Sequence, residues 1–487
     1  MNRRLGLLTK FLIVVIALAA CGGSSGSGGS SSPSGPVATD LQTSINGWSF
    51  PNYPSSEFPD KDFNEADLVS MFGSGEEICV GGVATPCKLT AEASAWARMV
   101  NQSRASGHCE GLVAIASTRF NNKESPDTVK LPTQDETLHA IMRAFATQFL
   151  PEVQDAITMW LNKSLEEKLD ELKNSFALGK LNYTLGLYTA GGGHALLPYA
   201  IEYPTPTTPK ILLYDSNWPG KERFVDFDLD AQRWKFSFSG ADPENDAKAW
   251  TGGAGDIDLN SLEIRSSSTC PFCKTSTKVK NSLLVLRTTD NKWTLKNSNG
   301  TYSPALDNAV EGIVSRPIRS AANYGTGIFE YVVSVEGTSL TFKPQGVASA
   351  FIVGETAITQ VETLGQNDTE IVITGDVISA TDPGATLTVA SNDFVAQVTG
   401  SNTVIEVNET NLQLSTESAS GQVVNLTVND EVSQIQVVAD GVNAGSGGGE
   451  FKVVSSVDGG LDLNVVTAVV PAELAYVEPI ESFTVPV

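Results

Sequence analysis

The sequence predicts an α+β domain followed by an all-β C-terminal region. Three observations predict it. From 64 to 176, apolar residues recur at helical spacing behind capping residues. From 181 to 228 they change to short runs separated by turn residues. Beyond about 275 only short Val/Ile/Thr runs remain, bounded by Gly, Asn and Asp. Helices first and antiparallel strands second is the α+β pattern. Strands punctuated by turns, without helices, read as sandwich domains, with a short β-solenoid as the alternative.

The elements follow in order. Residues 38–62, rich in Pro, Ser and aromatics, read as an irregular lead-in. Asn64 caps a short helix ending near Gly73, and Thr90 caps a second with Trp96, Met99 and Val100 turned inward. A third opens at Cys109, and its stretch Leu112–Ala116 is apolar all round, which predicts burial. Thr133-Gln134-Asp135-Glu136 reads as a capping box. Leu138, Ile141, Met142, Phe145 and Phe149 follow it at helical spacing. Pro151 starts another helix, whose stripe runs from Val153 to Phe176. Both stripes are core faces. Leu181–Tyr188, His194–Tyr203, Ile211–Asp215 and Arg223–Asp228 read as strands, with 204–210 as a hairpin tip. In the tail, Ser282–Arg287, Phe329–Val335, Glu370–Ile373, Ala385–Val389, Thr403–Val407, Val423–Val428 and Gln434–Val438 read as strands, and 442–449 as a loop or linker.

The chain of 487 residues carries a net charge of −24. After Arg319 there are 21 acidic residues against Lys343 and Lys452, so this segment carries −19 of it. That balance argues against nucleic acid or an anionic membrane surface as a partner. The acidic tail has no calcium loop of the Asp-x-Asp-x-Asp-Gly kind. At the other end, Arg3, Arg4 and Lys10 precede the apolar stretch Phe11–Ala20, which reads as an export signal. It closes in Leu18-Ala19-Ala20-Cys21, which resembles the bacterial lipobox. That resemblance implies lipidation of Cys21, and Gly22 after it resembles the outer-membrane sorting pattern of Gram-negative lipoproteins. The expected location is the cell envelope, on the periplasmic or surface face of the outer membrane. A Gly/Ser stretch then serves as a tether. The expected organisation is signal 1–20, tether 21–37, α+β domain 38–274, β-rich domain 275–355 and acidic all-β domain 356–487.

Six cysteines sort by spacing. Cys21 is the anchor. Cys79 and Cys87 suit a small disulfide loop, and Cys270 and Cys273 form a Cys-Pro-Phe-Cys loop disulfide, as export to an oxidising compartment allows. Cys109 is left alone, and an odd thiol in an exported protein points to reactivity. It lies in Gly107-His108-Cys109-Glu110-Gly111, at a helix start. Such a position and a nearby imidazolium both favour the thiolate. Of three histidines, His194 stands behind Gly191-Gly192-Gly193 at the start of a strand. His108 is expected to point away from Cys109, and His139 to be solvated. If the hairpin turns near Thr205, His194 lies opposite 215–217. Asp215 and Asn217 share a face. Asp215 is the preferred orienter of the ring because a carboxylate stabilises an imidazolium better than an amide; Asn217 is the alternative. The Cys109 N–H and Gln102, with Asn101 second, are the expected oxyanion donors. No cofactor or metal is expected.

These residues resemble the papain-like cysteine peptidase superfamily, and within it the bacteriocin-processing type, in which a Gly-His-Ala-like strand precedes one ending in Asp-Pro or Asp-x-Asn. The likeness covers roughly 89–228. It implies a papain-like α+β fold with the Cys on a central helix and the His and Asp/Asn on the sheet. It also implies acyl-enzyme chemistry on peptide or amide bonds of a peptide or protein substrate. Two other readings fit the residues: a transglutaminase-like acyltransferase, and an inactive binding or adhesion lipoprotein whose β-rich tail takes a cell-surface ligand.

Overall fold

The computed structural model describes residues 36–466 except 80–81, 83, 267–268, 274–280 and short stretches beyond 306, with side-chain surroundings given as far as 381. The leader, Cys21 and the tether to 35 lie outside the described residues. The N-terminal part is α+β. Strand β1 (Val37–Ala38) is followed by helices α1 (Thr43–Asn46), α2 (Glu65–Phe72), α3 (Ala91–Ser103), α4 (Cys109–Asn122), α5 (Asp135–Ala146), α6 (Pro151–Trp160) and α7 (Leu165–Ala177). Strands β2 (Tyr183–Thr189), β3 (Gly192–Glu202), β4 (Lys210–Tyr214), β5 (Glu222–Asp228), β6 (Arg233–Phe236), β7 (Trp250–Gly253) and β8 (Ile257–Ser261) come next, then the short α8 (Leu262–Arg265). The sheet runs β7-β6-β5-β4-β3-β2-β8, with β1 added to β3, and every pairing is antiparallel.

Local signals explain most of the helix starts. Asn64 accepts the Ala66 and Asp67 N–H groups while Asp67 reaches back to the Asn64 N–H, a reciprocal cap. Thr90 caps α3. Three expectations are corrected. Helix α5 starts at Asp135 with Gln134 as its cap and no side-chain capping bond. Its first turn instead carries Asp135 and Glu136 against the positive end of the helix dipole. The stripe from Val153 to Phe176 belongs to two helices, because Ser164 and Glu167 form a capping box that starts α7 afresh. His139 is likewise not solvated: its Nδ1 lies 2.7 Å from buried Asp67, which Arg143 also pairs.

Among the described residues, two apolar clusters tie the helices to the sheets. In one, Leu112 and Val113 of α4 and Leu169 and Leu172 of α7 pack on Leu185, Leu196 and Leu213 of the sheet. In the other, Trp96, Met99 and Val100 of α3 and Met142 and Phe145 of α5 pack on Val285, Val332 and Phe351, which belong to the C-terminal strands. The boundary expected at 274 therefore does not separate two cores. Cys79–Cys87 and Cys270–Cys273 are both disulfides, and Cys109 is the free thiol among the described cysteines.

The C-terminal part opens with β9 (Asn281–Thr288), β10 (Thr294–Asn297), β11 (Gly300–Tyr302), β12 (Ile313–Pro317), β13 (Phe329–Glu336), β14 (Ser339–Lys343), β15 (Val347–Val353), β16 (Ile358–Leu364), β17 (Ile371–Thr374) and β18 (Val377–Ala380). They divide between a ten-stranded and a nine-stranded antiparallel sheet. Trp293 contacts Phe342 of one sheet and Tyr331 of the other. Later hairpins are added to the two sheets in turn. Thr386–Ala390 and Phe394–Thr399 extend the ten-stranded sheet, then Thr403–Asn408 and Asn411–Thr416 the nine-stranded one. The boundary expected at 355 falls between β15 and β16, which pair along their length, and β14 pairs with β17. The two expected tail domains are thus one construction on shared sheets. Of the loop expected over 442–449, residues 442–444 belong to the strand Gly441–Ala444, and 445–449 lie outside the described residues. Among the described residues no helix is long and apolar enough to cross a membrane.

Candidate active site

Helix α4 presents Cys109 at its first turn, with the thiol 5 % exposed. The first N–H groups of a helix have no intrahelical acceptor, so this turn is an anion-stabilising position. Two glycines make the approach possible. Gly107 takes φ +154°, and a Cβ there would meet the Asn52 amide nitrogen at 2.7 Å. At Gly111 a Cβ would lie 2.3 Å from the Ile141 carbonyl of α5, so only glycine lets the two helices close. The neighbour Glu110 faces away from the cleft. It is buried and paired with Arg265, and it accepts from Thr184 at 2.7 Å and Asn260 at 3.3 Å. Pairing neutralises a charge that would otherwise oppose a thiolate beside it.

The β3–β4 hairpin brings the other two residues in. Leu197 pairs with Tyr214, and the same register carried outward sets His194 across from the 215–217 segment, as expected. His194 Nε2 lies 2.8 Å from Asp215 Oδ1. Cys109 also favours the charged ring, and with Nε2 on Asp215, Nδ1 is the ring nitrogen left for the thiol. His194 is 2 % exposed and Asp215 fully buried. Burial by itself lowers the imidazole pKa, but the Asp215 carboxylate and its hydrogen bond, with Cys109, outweigh it and push the value up to about 10. The imidazolium is therefore the resting form at neutral pH.

The choice that alternation left open is made by these distances. Asp215 holds the ring; Asn217 donates its backbone N–H to Asp215 Oδ1 at 2.8 Å, and its side-chain nitrogen stands 3.4 Å from His194 Nε2. Among the described residues Asp215 Oδ2 has no hydrogen-bond partner, and buried Arg223 supplies a nearby positive charge.

Gln102 and Asn101 do not reach the site. Gln102 is half-buried on α3 and is not part of the cleft lining, while both amide atoms of Asn101 bind the Phe63 backbone at 2.9 Å. The turn at 104–107 between α3 and α4 carries these residues away from the thiol. Asn52, from the lead-in, is among the polar residues that line the cleft with Cys109. Its Oδ1 accepts the His108 N–H at 2.7 Å and its own N–H binds the Ser216 carbonyl at 2.9 Å. With Oδ1 assigned by that donor, Nδ2 is the end that remains for the cleft. Nothing local in the sequence marks Asn52; only its place in the Pro51–Pro54 stretch, where an extended chain is favoured, sets it apart. His108 points away from the thiol as expected, stacked on Tyr53 and bound through Nδ1 to the Tyr53 carbonyl at 2.8 Å.

The resulting cleft encloses about 480 Å³ and opens to solvent. Among the described residues no group of His, Cys, Asp and Glu is arranged to hold a metal ion. Comparison with known proteins yields no match: no family model, no curated protein and no solved structure is similar to this chain.

Proposed function

We propose that this chain is a papain-like thiol hydrolase that cleaves peptide or amide bonds through an acyl-enzyme. One observation carries the reading: Cys109, at a helix N-terminus, and His194, bonded to Asp215, line the same open cleft. The Cys109 sulfur attacks the carbonyl carbon, and a C–S bond forms. Charge developing on the oxygen is met by the Cys109 N–H and by Asn52 Nδ2. His194 passes its proton to the leaving nitrogen as the C–N bond breaks. Water then attacks the thioester; His194 takes its proton, and the acid is released with the thiol restored. Asp215 holds the ring in the tautomer and orientation this requires. The order of helix thiol first, sheet imidazole and carboxylate second supports the papain-like assignment. The two large C-terminal sheets are read as a sandwich. The leader and Cys21 support attachment of the whole to the cell envelope through a lipid.

The test uses the full chain and its Cys109→Ala variant on a mixture of peptides, with new termini read by mass spectrometry. New termini made only by the wild type support hydrolysis. Amide products formed in the presence of an added amine, without new acids, would reassign the site to acyl transfer. Identical spectra for both proteins would sink the enzymatic reading.

A further inference from the structure

We infer that the cleft carries an aromatic shelf beside His194, built from Phe238 and Trp250, that selects a flat apolar side chain next to the reacting bond. This rests on the hydrolase reading above. The Phe238 and Trp250 rings stack with centroids 4.7 Å apart and planes 7° from parallel, and Phe238 meets the His194 ring edge-on at 5.3 Å. Phe238 is 36 % exposed, so part of its ring is open to solvent. Both rings line the same cleft as Cys109.

The shelf is rigidly mounted. Ser237 donates to Asp246 at 2.6 Å, Asp246 accepts the Lys248 N–H at 2.8 Å, and the Phe238 carbonyl takes the Trp218 indole N–H at 3.3 Å. A surface held in place before binding loses little entropy when a ligand arrives. The space in front of it is kept open by Gly192. A Cβ there would sit 3.8 Å from Trp250 and 3.8 Å from the Tyr324 carbonyl, so any larger residue would fill the slot between them. The far wall belongs to the C-terminal part of the chain. Gly325 approaches the β2–β3 turn so closely that a Cβ would lie 2.6 Å from the Gly192 nitrogen and 2.7 Å from the Thr189 carbonyl. Arg319, bonded to Asp258 at 2.9 Å and lying over Tyr188 at 3.9 Å, anchors that segment. A cleft lined by stacked aromatic rings fits a planar side chain better than a branched or charged one.

The experiment compares alkylation of Cys109 in the full chain by iodoacetamide, N-isobutyl-iodoacetamide and N-benzyl-iodoacetamide at pH 6. The expected result is a benzyl rate roughly three- to tenfold above the isobutyl rate, as one aromatic contact supplies. Phe238→Leu, which keeps apolar volume but removes the ring face, should bring that ratio close to one, and Trp250→Leu should do the same. Phe238→Tyr should retain it. A wild-type ratio near one, or a ratio unchanged in both leucine variants, overturns the shelf while fast iodoacetamide labelling leaves the hydrolase reading intact. Slow iodoacetamide labelling in the wild type, indistinguishable from the His194→Ala variant, overturns the hydrolase reading itself, and the shelf with it.

Discussion

Asp215→Asn isolates the charge that holds His194 while keeping the shape of the side chain. In the native protein the imidazole is raised from its ordinary 6.5 to about 10, against the opposing effect of burial. A displacement of that size corresponds to about 5 kcal/mol favouring the imidazolium. His194 is 2 % exposed, so little of it is lost to solvent screening. The sign follows from the direction: this stability is fully present below the ordinary value near 6.5 and is lost as pH rises through about 10. An amide retains a carbonyl acceptor for the Nε2–H but brings no charge, so burial prevails and the imidazole value falls well below 6.5. At pH 6 to 7 the imidazolium beside the thiol is then largely lost. Alkylation of Cys109 by iodoacetamide at that pH should drop roughly 10- to 1000-fold. Proton and nitrogen NMR of the ring checks the cause directly, because only three histidines need assignment. A folded Asp215→Asn protein that is alkylated at pH 6 as fast as the wild type, with an unmoved His194 titration, would refute the coupling.

Other outcomes follow from the same contacts. Cys109→Ala should abolish labelling while changing stability by about 1 kcal/mol, since one small side chain is removed; thermal melting with circular dichroism checks it. Asn52→Asp keeps the acceptor for the His108 N–H but removes the amide donor, so peptide hydrolysis should fall roughly 100- to 1000-fold. Iodoacetamide labelling, which develops no oxyanion, should fall far less, and the two rates on one preparation separate the roles. His108 is held down to about 4, by burial first and Arg104 next, against the Tyr53 carbonyl bond. The neutral ring is the native form, so about 3 kcal/mol of stability is present above 6.5 and is lost as pH falls toward 4. Urea midpoints across that window should decline, and less steeply in His108→Gln. Ending the chain at 274 should leave an insoluble or molten product, because Trp96, Met99 and Phe145 lose the Val285, Val332 and Phe351 side of their core. Burial of those three side chains contributes on the order of 5 kcal/mol, comparable with the whole stability of a domain. Near-ultraviolet circular dichroism distinguishes this from a folded truncated protein.

Local periodicity made the elements legible. The caps at Asn64 and Thr90, Pro151 at a helix start and the strands around His194 and Asp215 depend on neighbours within a few residues, and the sequence alone determined them. The pairing of His194 with the 215–217 segment was legible too, because a hairpin register needs only a turn and an alternation. Cys109 was found by elimination among six cysteines. Three things were decided by the tertiary structure alone. Asp215 and Asn217 share a face, so only the distances to Nε2 separate them. Asn52 meets Cys109 from 57 residues away through contacts to His108 and Ser216 that leave no periodic trace. The strands past 274 look like separate domains by composition, yet they share one core with the helices, because burial of Trp96 and Met99 requires surface that no nearby segment provides, and Tyr324 from that part of the chain lines the cleft. Sequence reports what a residue requires of its neighbours along the chain, while the partners that satisfy a buried ring, amide or charge are chosen only when distant segments close around it.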